Sequence, residues 1–429
     1  MKGSHLLLGV MWLVLTTRVM AMTYGEALGQ AVGHDKQYAA AIYEAQSSEY
    51  LPVIGRAGLL PKLSLSGFQA SNALTQANQD FLGNPNTSSQ RYLAQSLAGQ
   101  LTQPLINLAA LAAYLQSKSQ ASASQQKLAI SFSELASNVA GAYYGLASAR
   151  ESYAYTKKEV KNFDDQERVI HVRRLNGAAS SADLEEIRYA KMQALVTLDE
   201  VRNDIEQASI SLEKLLGRKI ADSEILQLPA KDDIIKEKLE TLMATGIERN
   251  PKILYQKQMH ESARLEHKKN QASYAPTLDL VGYQGYQNSN TLSTIGQKSK
   301  QGYLGLQFNV PIFDGGEAYG KERQSALFVE SQRMVLESEI GNVVEGIKKA
   351  YTQAKISSEK LNTLRQQLSS ANFLYKSFQE QNALGLKSTY ELLSVARKKF
   401  QCEREIAKTT YEKALAIKHL EIMINRGVP

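Results

Sequence analysis

Few residues in this chain combine the type and the spacing that chemistry needs. His260 and His267 lie seven apart on a helical stretch, with Glu261 and Glu266 between them. Converging imidazoles and carboxylates can hold zinc, but the same spacing describes exposed polar residues along a helix, and that plainer reading is the one expected. Gly315-Gly316 follows an alternating stretch, yet the other glycines of a dinucleotide fingerprint are missing. The single cysteine, Cys402, has no partner for an internal disulfide. It falls on a helical seam and reads as a small buried apolar residue. Lys191 and Lys399 occupy equivalent seam positions. A lysine there is expected to send its ammonium group out to water rather than to hold a ligand. No catalytic, cofactor or metal site follows, and the chain reads as a non-enzyme.

The elements are more informative than the sites. The chain has 429 residues, 43% hydrophobic and 22% charged, so it is not generally disordered. Its formal charge is +7. The basic residues are interleaved with Glu and Asp, which describes solvated helix faces. No basic run with interleaved aromatics argues for nucleic acid as a partner. Lys2, the apolar run Leu6 to Leu15 and the small-residue site Val19-Met20-Ala21 predict a secretory signal peptide over residues 1–21. No Cys follows that cut, which argues against a lipid anchor there. No stretch of about 18 apolar residues follows Ala21, so a membrane-crossing segment of the mature chain would have to belong to a closed β-barrel.

The chain is written twice. Gly177 and Gly385 are 208 apart, Pro104 and Pro311 are 207 apart, and Pro61 and Pro276 are 215 apart. A heptad seam runs through Phe132, Leu135, Val139, Ala142, Leu146, Ala149, Tyr153, Thr156, Val160 and Phe163. Adding 208 to each gives Ile340, Val343, Ile347, Ala350, Ala354, Ser357, Leu361, Leu364, Leu368 and Ala371, a second seam in register. Another seam, Leu184 to Leu215, follows the first glycine turn, and its partner includes Leu392, Val395, Lys399, Cys402 and Ile406. Each half therefore predicts a helix of about 70 residues, on the order of 100 Å long, then a glycine turn and a shorter returning helix.

The segments between the prolines have period two. Leu304, Leu306, Phe308 and Val310 alternate with Tyr303, Gly305, Gln307 and Asn309; Leu93, Leu97 and Leu101 face away from Ser96, Ala98, Gln100 and Thr102. Lengths of about 9–13 residues suit tilted membrane strands. The polar stretches Asn84 to Ser89, Asn288 to Asn290 and Gln297 to Lys300 read as exposed loops. Four strands cannot close a pore, whereas three copies would give about twelve, within the range of outer-membrane barrels.

In order and spacing, Leu60-Pro61-Lys62-Leu63, Leu101-Thr102-Gln103-Pro104, Tyr274-Ala275-Pro276-Thr277-Leu278 and Val310-Pro311-Ile312-Phe313-Asp314-Gly315-Gly316 resemble the TolC-like outer-membrane efflux family. The expected architecture is an internally duplicated α+β membrane protein. It would form a trimeric 12-stranded β-barrel, four strands per chain, continued by a long α-helical coiled-coil periplasmic tunnel. The expected boundaries are a signal peptide over 1–21, a first repeat over 22–220 and an equatorial linker over 221–237, followed by a second repeat over 238–429. Strands are expected at about 61–72, 91–103, 276–287 and 301–311, and helices at about 105–175, 182–216, 315–383 and 388–425.

The resemblance implies a homotrimer in the outer membrane of a Gram-negative bacterium, in contact with outer-membrane lipid. It would act as a passive exit channel for type I protein secretion or small-molecule efflux. Its partners would be a periplasmic adaptor and an inner-membrane ABC or proton-driven pump. The competing reading is a structural periplasmic coiled coil with no channel. The resemblance also implies gate residues at the tunnel's periplasmic end. Lys387 falls where an arginine is typical, Glu391 on an acidic-ring position, Asn382 in place of a tyrosine and Ser394 in place of an aspartate, while Asp183 matches an acidic link residue. For Glu391 a plain helix-start carboxylate remains the alternative. Gly177, Ala178, Ala179 and Ser180, with Leu384, Gly385 and Leu386, form the tips expected to meet the adaptor.

Overall fold

The structure, a computed structural model, describes residues 22–79, 81–221, 224, 226, 237–291 and 294–426. The expected signal peptide and most of the expected linker lie outside these residues. Among these residues two compact units emerge, one within Met1–Ala39, Ser131–Gly246 and Val344–Pro429 and the other within Ala40–Ile130 and Ile247–Val343.

In chain order the helices are α1 (Tyr24–His34), α2 (Lys36–Ser48), α3 (Leu51–Arg56), α4 (Leu108–Leu175), α5 (Ser181–Leu216), α6 (Leu239–Arg249), α7 (Pro251–Gln271), α8 (Glu317–Ala383) and α9 (Thr389–Met423). The strands are β1 (Lys62–Gln79), β2 (Pro85–Ile106), β3 (Thr277–Thr291) and β4 (Thr294–Asn309). The two long helices and their shorter returns sit within a few residues of the periodicity-based boundaries. Outside the duplicated hairpins, α1 to α3 and α6 to α7 are additional helices that no heptad announced.

The helical unit is built on the seams. None of the residues in the two long seams is exposed, and Val139, Leu146, Thr156, Phe163 and Ile347 are fully enclosed. Near the chain start, Ala27 and Ala31 of α1 pack on Leu135, Val139 and Tyr143 of α4. Nearer the hairpin turns, Phe163 and Ile170 of α4 meet Leu184 and Ile187 of α5, Tyr375 of α8, and Leu392 and Ala396 of α9. The two repeats thus share a core. Cys402 is buried, as its seam position requires.

Both seam lysines depart from the expectation of a simple escape to water. Lys191 Nζ lies 2.6 Å from Asp164 Oδ1 and 3.0 Å from Glu167 Oε2, so two carboxylates of α4 satisfy it. Lys399 Nζ lies over the rings of Tyr375 and Phe400, 5.1 Å and 5.2 Å from their centroids, where ring quadrupoles attract the cation.

The other unit holds one antiparallel sheet in the order β1-β2-β3-β4. Its register sorts side chains into two faces. Leu63, Leu101, Gly282 and Leu304 form one cross-strand row. Gly67, Leu97, Tyr286 and Lys300 form another on the same face, and Leu280 beside Leu306 and Leu278 beside Phe308 extend it. Ser64, Gln100, Tyr283 and Tyr303 make a row on the opposite face, where the two tyrosine rings stack with centroids 5.5 Å apart. Leu63 and Leu304 are open to solvent in the isolated chain, at 80% and 71%, and Leu97 and Leu306 are exposed too, while Leu101, Leu278 and Leu280 are half-buried.

The strands run well past the alternating segments. Residues 85–89, read as loop, pair with 75–79, and 297–300 pair with 286–289. Apart from Ala77, Pro85 and Tyr286 the residues of these extensions are polar, so they carry no period-two signal. The backbone ladder continues regardless, aided by contacts such as Thr75 Oγ1 to Ser89 Oγ at 3.3 Å.

Candidate functional site

The expected gate residues gather where the helical hairpins turn, and the turns are built alike. Gly177 (φ 72°) and Gly385 (φ 75°) adopt the left-handed conformation that a side chain disfavours. Ala178 N–H donates to Arg173 O at 2.8 Å, and Leu386 N–H to Gln381 O at 2.9 Å. These bonds satisfy carbonyls that the helix ends would leave unpaired.

Each returning helix then opens with a capping box. Ser180 Oγ accepts from Asp183 N–H at 3.1 Å, and Asp183 Oδ2 accepts from Ser180 N–H at 2.9 Å. Ser388 Oγ accepts from Glu391 N–H at 3.2 Å, and Glu391 Oε2 accepts from Ser388 N–H at 3.0 Å. Every one of these atoms has its counterpart 208 residues away, so the duplication reaches to single hydrogen bonds.

Three of the five expected gate residues form one local chain of contacts. Asn382 Nδ2 donates to Lys387 O at 2.9 Å. Lys387 Nζ donates to Glu391 Oε1 at 2.5 Å and stands 4.8 Å from the centroid of the Phe378 ring. Lys387 beside it, then the Ser388 backbone N–H, holds the Glu391 carboxyl below the usual range. Within one chain, then, Glu391 is an ion-paired capping carboxylate. Asp183 sits on the first-repeat hairpin. Its carboxyl is also held low, chiefly by the Ser180 hydroxyl and N–H, with a smaller push from the Thr389 hydroxyl at the start of α9. Ser394 is half-buried on α9, between the buried Leu393 and Val395.

At the tips, Gly177, Ala178, Ser180, Leu384, Gly385 and Leu386 are exposed. Ala179 is half-buried and packs on the core between the hairpins.

The residue that ties the two hairpins together was not among those expected. Arg173, in the last turn of α4, donates through Nη1 to Asn382 O at 3.0 Å and Asn382 Oδ1 at 3.2 Å, and through Nη2 to Ala383 O at 3.0 Å. Its guanidinium therefore caps the C-terminus of α8, where a cation is favoured. A second tie lies deeper. Asn162 Nδ2 donates to Tyr375 OH at 2.6 Å, and Gln166 Nε2 donates to Asn162 Oδ1 at 2.8 Å. A third is the ion pair of Arg404 on α9 with Glu159 on α4, whose side chain is only 6% exposed. Burial raises the Glu159 carboxyl above its usual range, and Arg404 opposes that. No period in the sequence marks these ties: Glu159 and Asn162 lie within the span of the α4 seam, Gln166 and Arg173 beyond it.

The arrangement offers no catalytic constellation. Among the described residues no three His, Cys, Asp or Glu side chains converge on a possible metal position. His267 instead places Nδ1 3.0 Å from Ser325 Oγ. Among the described helices, none is long and apolar enough to cross a membrane. What the tips can do is hold together or part: they bring two hairpins into contact through a few polar links around small apolar cores.

The sequence pattern described as outer membrane efflux protein matches residues 27–218 and 243–426, so the two matched ranges bracket the two repeats. The chain is 23% identical over 409 residues to the alkaline protease secretion protein AprF of Pseudomonas aeruginosa, covering 95% of this chain and 85% of that protein. It is 24% identical over 416 residues to the proteases secretion protein PrtF of Dickeya chrysanthemi, covering 93% and 88%. Among solved structures, a membrane protein from Pseudomonas aeruginosa superposes with a TM-score of 0.81 at 19% identity, over 94% of this chain and 93% of that one.

Proposed function

The chain belongs to the outer membrane efflux protein family, and from that premise we propose that it is the exit channel of a type I protein-secretion machine. It is an outer-membrane protein of a family of channels rather than of enzymes. Small-molecule efflux is the other task found in the family. Protein export is preferred because two relatives that cover more than nine-tenths of this chain, AprF and PrtF, are named for protease secretion.

One observation carries the channel reading. The sheet exposes a face of leucines and leaves β1 and β4 at its two ends, each with one edge that pairs with no described strand. Such a face is stable against lipid, but unpaired edges are not, since hydrocarbon offers their N–H and C=O groups no partner. From Leu278 to Tyr286 the apolar face spans roughly 26 Å of strand, which at a tilt of about 40° covers about 20 Å of an outer-membrane barrel's apolar band, itself about 25 Å tall. Closing the edges requires further copies. Three copies give twelve strands and unite the helical hairpins of each into one tunnel. In that assembly Arg173, Asn382, Lys387, Glu391 and Asp183 form the links of the resting periplasmic gate, Ser394 lies behind them, and the exposed tips meet a periplasmic adaptor that couples the channel to an inner-membrane pump.

The test has two arms. The purified protein, added to a planar lipid bilayer, should insert and conduct as single channels. Deletion of its gene in the host should remove one or more proteins from the culture medium while leaving drug susceptibility unchanged. A protein that never conducts would end the channel reading. A deletion that alters only drug susceptibility would assign the channel to efflux.

A further inference from the structure

The segment Val310-Pro311-Ile312-Phe313, which leaves the free-edge strand β4, pairs with no strand among the described residues. Ile312 is 94% exposed and Phe313 87%. Yet the turn that follows them is fixed. Asp314 Oδ1 accepts from Gly316 N–H at 3.0 Å, and Asp314 Oδ2 accepts from Ala318 N–H at 2.7 Å. Two large apolar side chains on a held turn, open to water, are costly unless something covers them.

The other free edge carries a matching surface. β1 is entered from α3, and α3 is pressed onto α4. A Cβ on Gly55 would stand 2.3 Å from Ser117 Oγ and 3.2 Å from Tyr114 Cα, so only glycine permits the approach. That contact fixes which side of α3 is inward. Val53 and Ile54 remain exposed, as do Tyr50 before them and Leu60 after them. Gln103 Nε2 donates to Leu59 O at 3.1 Å, which ties the turn before β1 to β2.

Strand direction brings the two surfaces together. Four antiparallel strands make β1 and β4 run opposite ways, so β4 of one copy can continue the antiparallel ladder onto β1 of the next. The end of β4 at Asn309 then lies beside the start of β1 at Lys62. Ile312 and Phe313 follow Asn309 by three and four residues, and Leu60 precedes Lys62 by two. We propose that Ile312 and Phe313 of one copy seat against α3 and Leu60 of the next copy, an apolar lock that closes the barrel wall at its base. The inference rests on the channel reading and deepens it, by naming the surface through which copies join. It also gives two sequence signatures, Leu60-Pro61-Lys62-Leu63 and Val310-Pro311-Ile312-Phe313, a common task as the two halves of one joint.

The experiment uses the full-length protein in detergent, with Cys402→Ser removing the native thiol. Leu60→Cys and Ile312→Cys, introduced together, should link chains on treatment with a short bismaleimide and yield covalent dimers and trimers on a reducing gel. Each single substitution should give no trimer. In a separate variant, Phe313→Asp should lower the fraction of detergent-resistant trimer by about tenfold, the effect of removing one central apolar anchor. Phe313→Leu should restore most of it. If the unsubstituted protein is trimeric but the paired cysteines stay unlinked and Phe313→Asp assembles normally, these side chains face lipid or another protein, and the lock is overturned while the channel reading stands. If the unsubstituted protein is a monomer that never conducts, both fall.

Discussion

Arg173 joins the two hairpin tips directly. One guanidinium satisfies two carbonyls at the end of α8 and the side-chain oxygen of Asn382. A charge-assisted hydrogen bond of this kind contributes about 1.5–3 kcal/mol when sheltered, and less here because the group is half-exposed. Arg173→Ala should therefore loosen the resting tips without unfolding the seams above them. In a planar bilayer its single-channel conductance should exceed that of the parent protein severalfold, and Arg173→Lys should fall between, since an ammonium group cannot reproduce the planar fork. Unchanged conductance in both variants would remove Arg173 from the gate. Asn382, Lys387 and Glu391 were singled out by the resemblance to the family, and they contact one another beside the Gly385 turn. Arg173 was not. Its partner is 209 residues away, and no period along the chain records which long side chain crosses between repeats.

At the scale of elements, the capping boxes do most to fix where the hairpins turn. Ser180→Ala or Ser388→Ala removes one cap and should cost about 1 kcal/mol of local stability, read as faster amide hydrogen exchange in the first turn of α5 or α9. The carboxylates of the same boxes add a pH dependence with a definite sign. Asp183 and Glu391 are both held below the ordinary carboxylate range in the folded chain. Their contribution is complete above the unfolded value and is lost as pH falls through the folded one. Protection of the tip amides, corrected for the intrinsic base-catalysed exchange rate, should thus fall toward acid in the parent protein, and Asp183→Asn should flatten that dependence at α5 more than at α9, whose Thr389 hydroxyl acts on Asp183 only weakly. An identical acid response in parent and variant would show that the box carboxylate does not govern the tip. These elements were readable in advance: a heptad repeated at a fixed offset leaves little freedom in helix boundaries. The strands were readable only where one face is apolar. Beyond the Leu74–Gln90 pair the side chains turn largely polar, and the ladder continues on hydrogen bonds that side-chain pattern does not reveal.

At the scale of the whole molecule, the sheet's two faces are physically unequal, and that inequality tests the architecture. Leu304 lies in a row with Leu63, Leu101 and Gly282, toward the middle of the apolar face, while Gln100 lies one residue from that row and points to the opposite side. If the leucine face meets lipid, Leu304→Arg places a cation near the bilayer midplane, at a cost of about 2–4 kcal/mol. Gln100→Arg puts the same charge into the water-filled bore, where it remains hydrated. The first variant should fail to accumulate in the outer membrane. The second should insert at the parent level and shift ion preference toward anions, because three copies would place three cations around one bore. The pair is decisive because both variants add the same side chain to one sheet, on β4 and on β2 at either side of β3, so a general intolerance of arginine cannot imitate the result. A sheet that stood in water would accept either charge equally, as the competing reading of a periplasmic coiled coil requires. Normal assembly of Leu304→Arg would therefore count against the barrel itself, whatever the hairpin tips turn out to do.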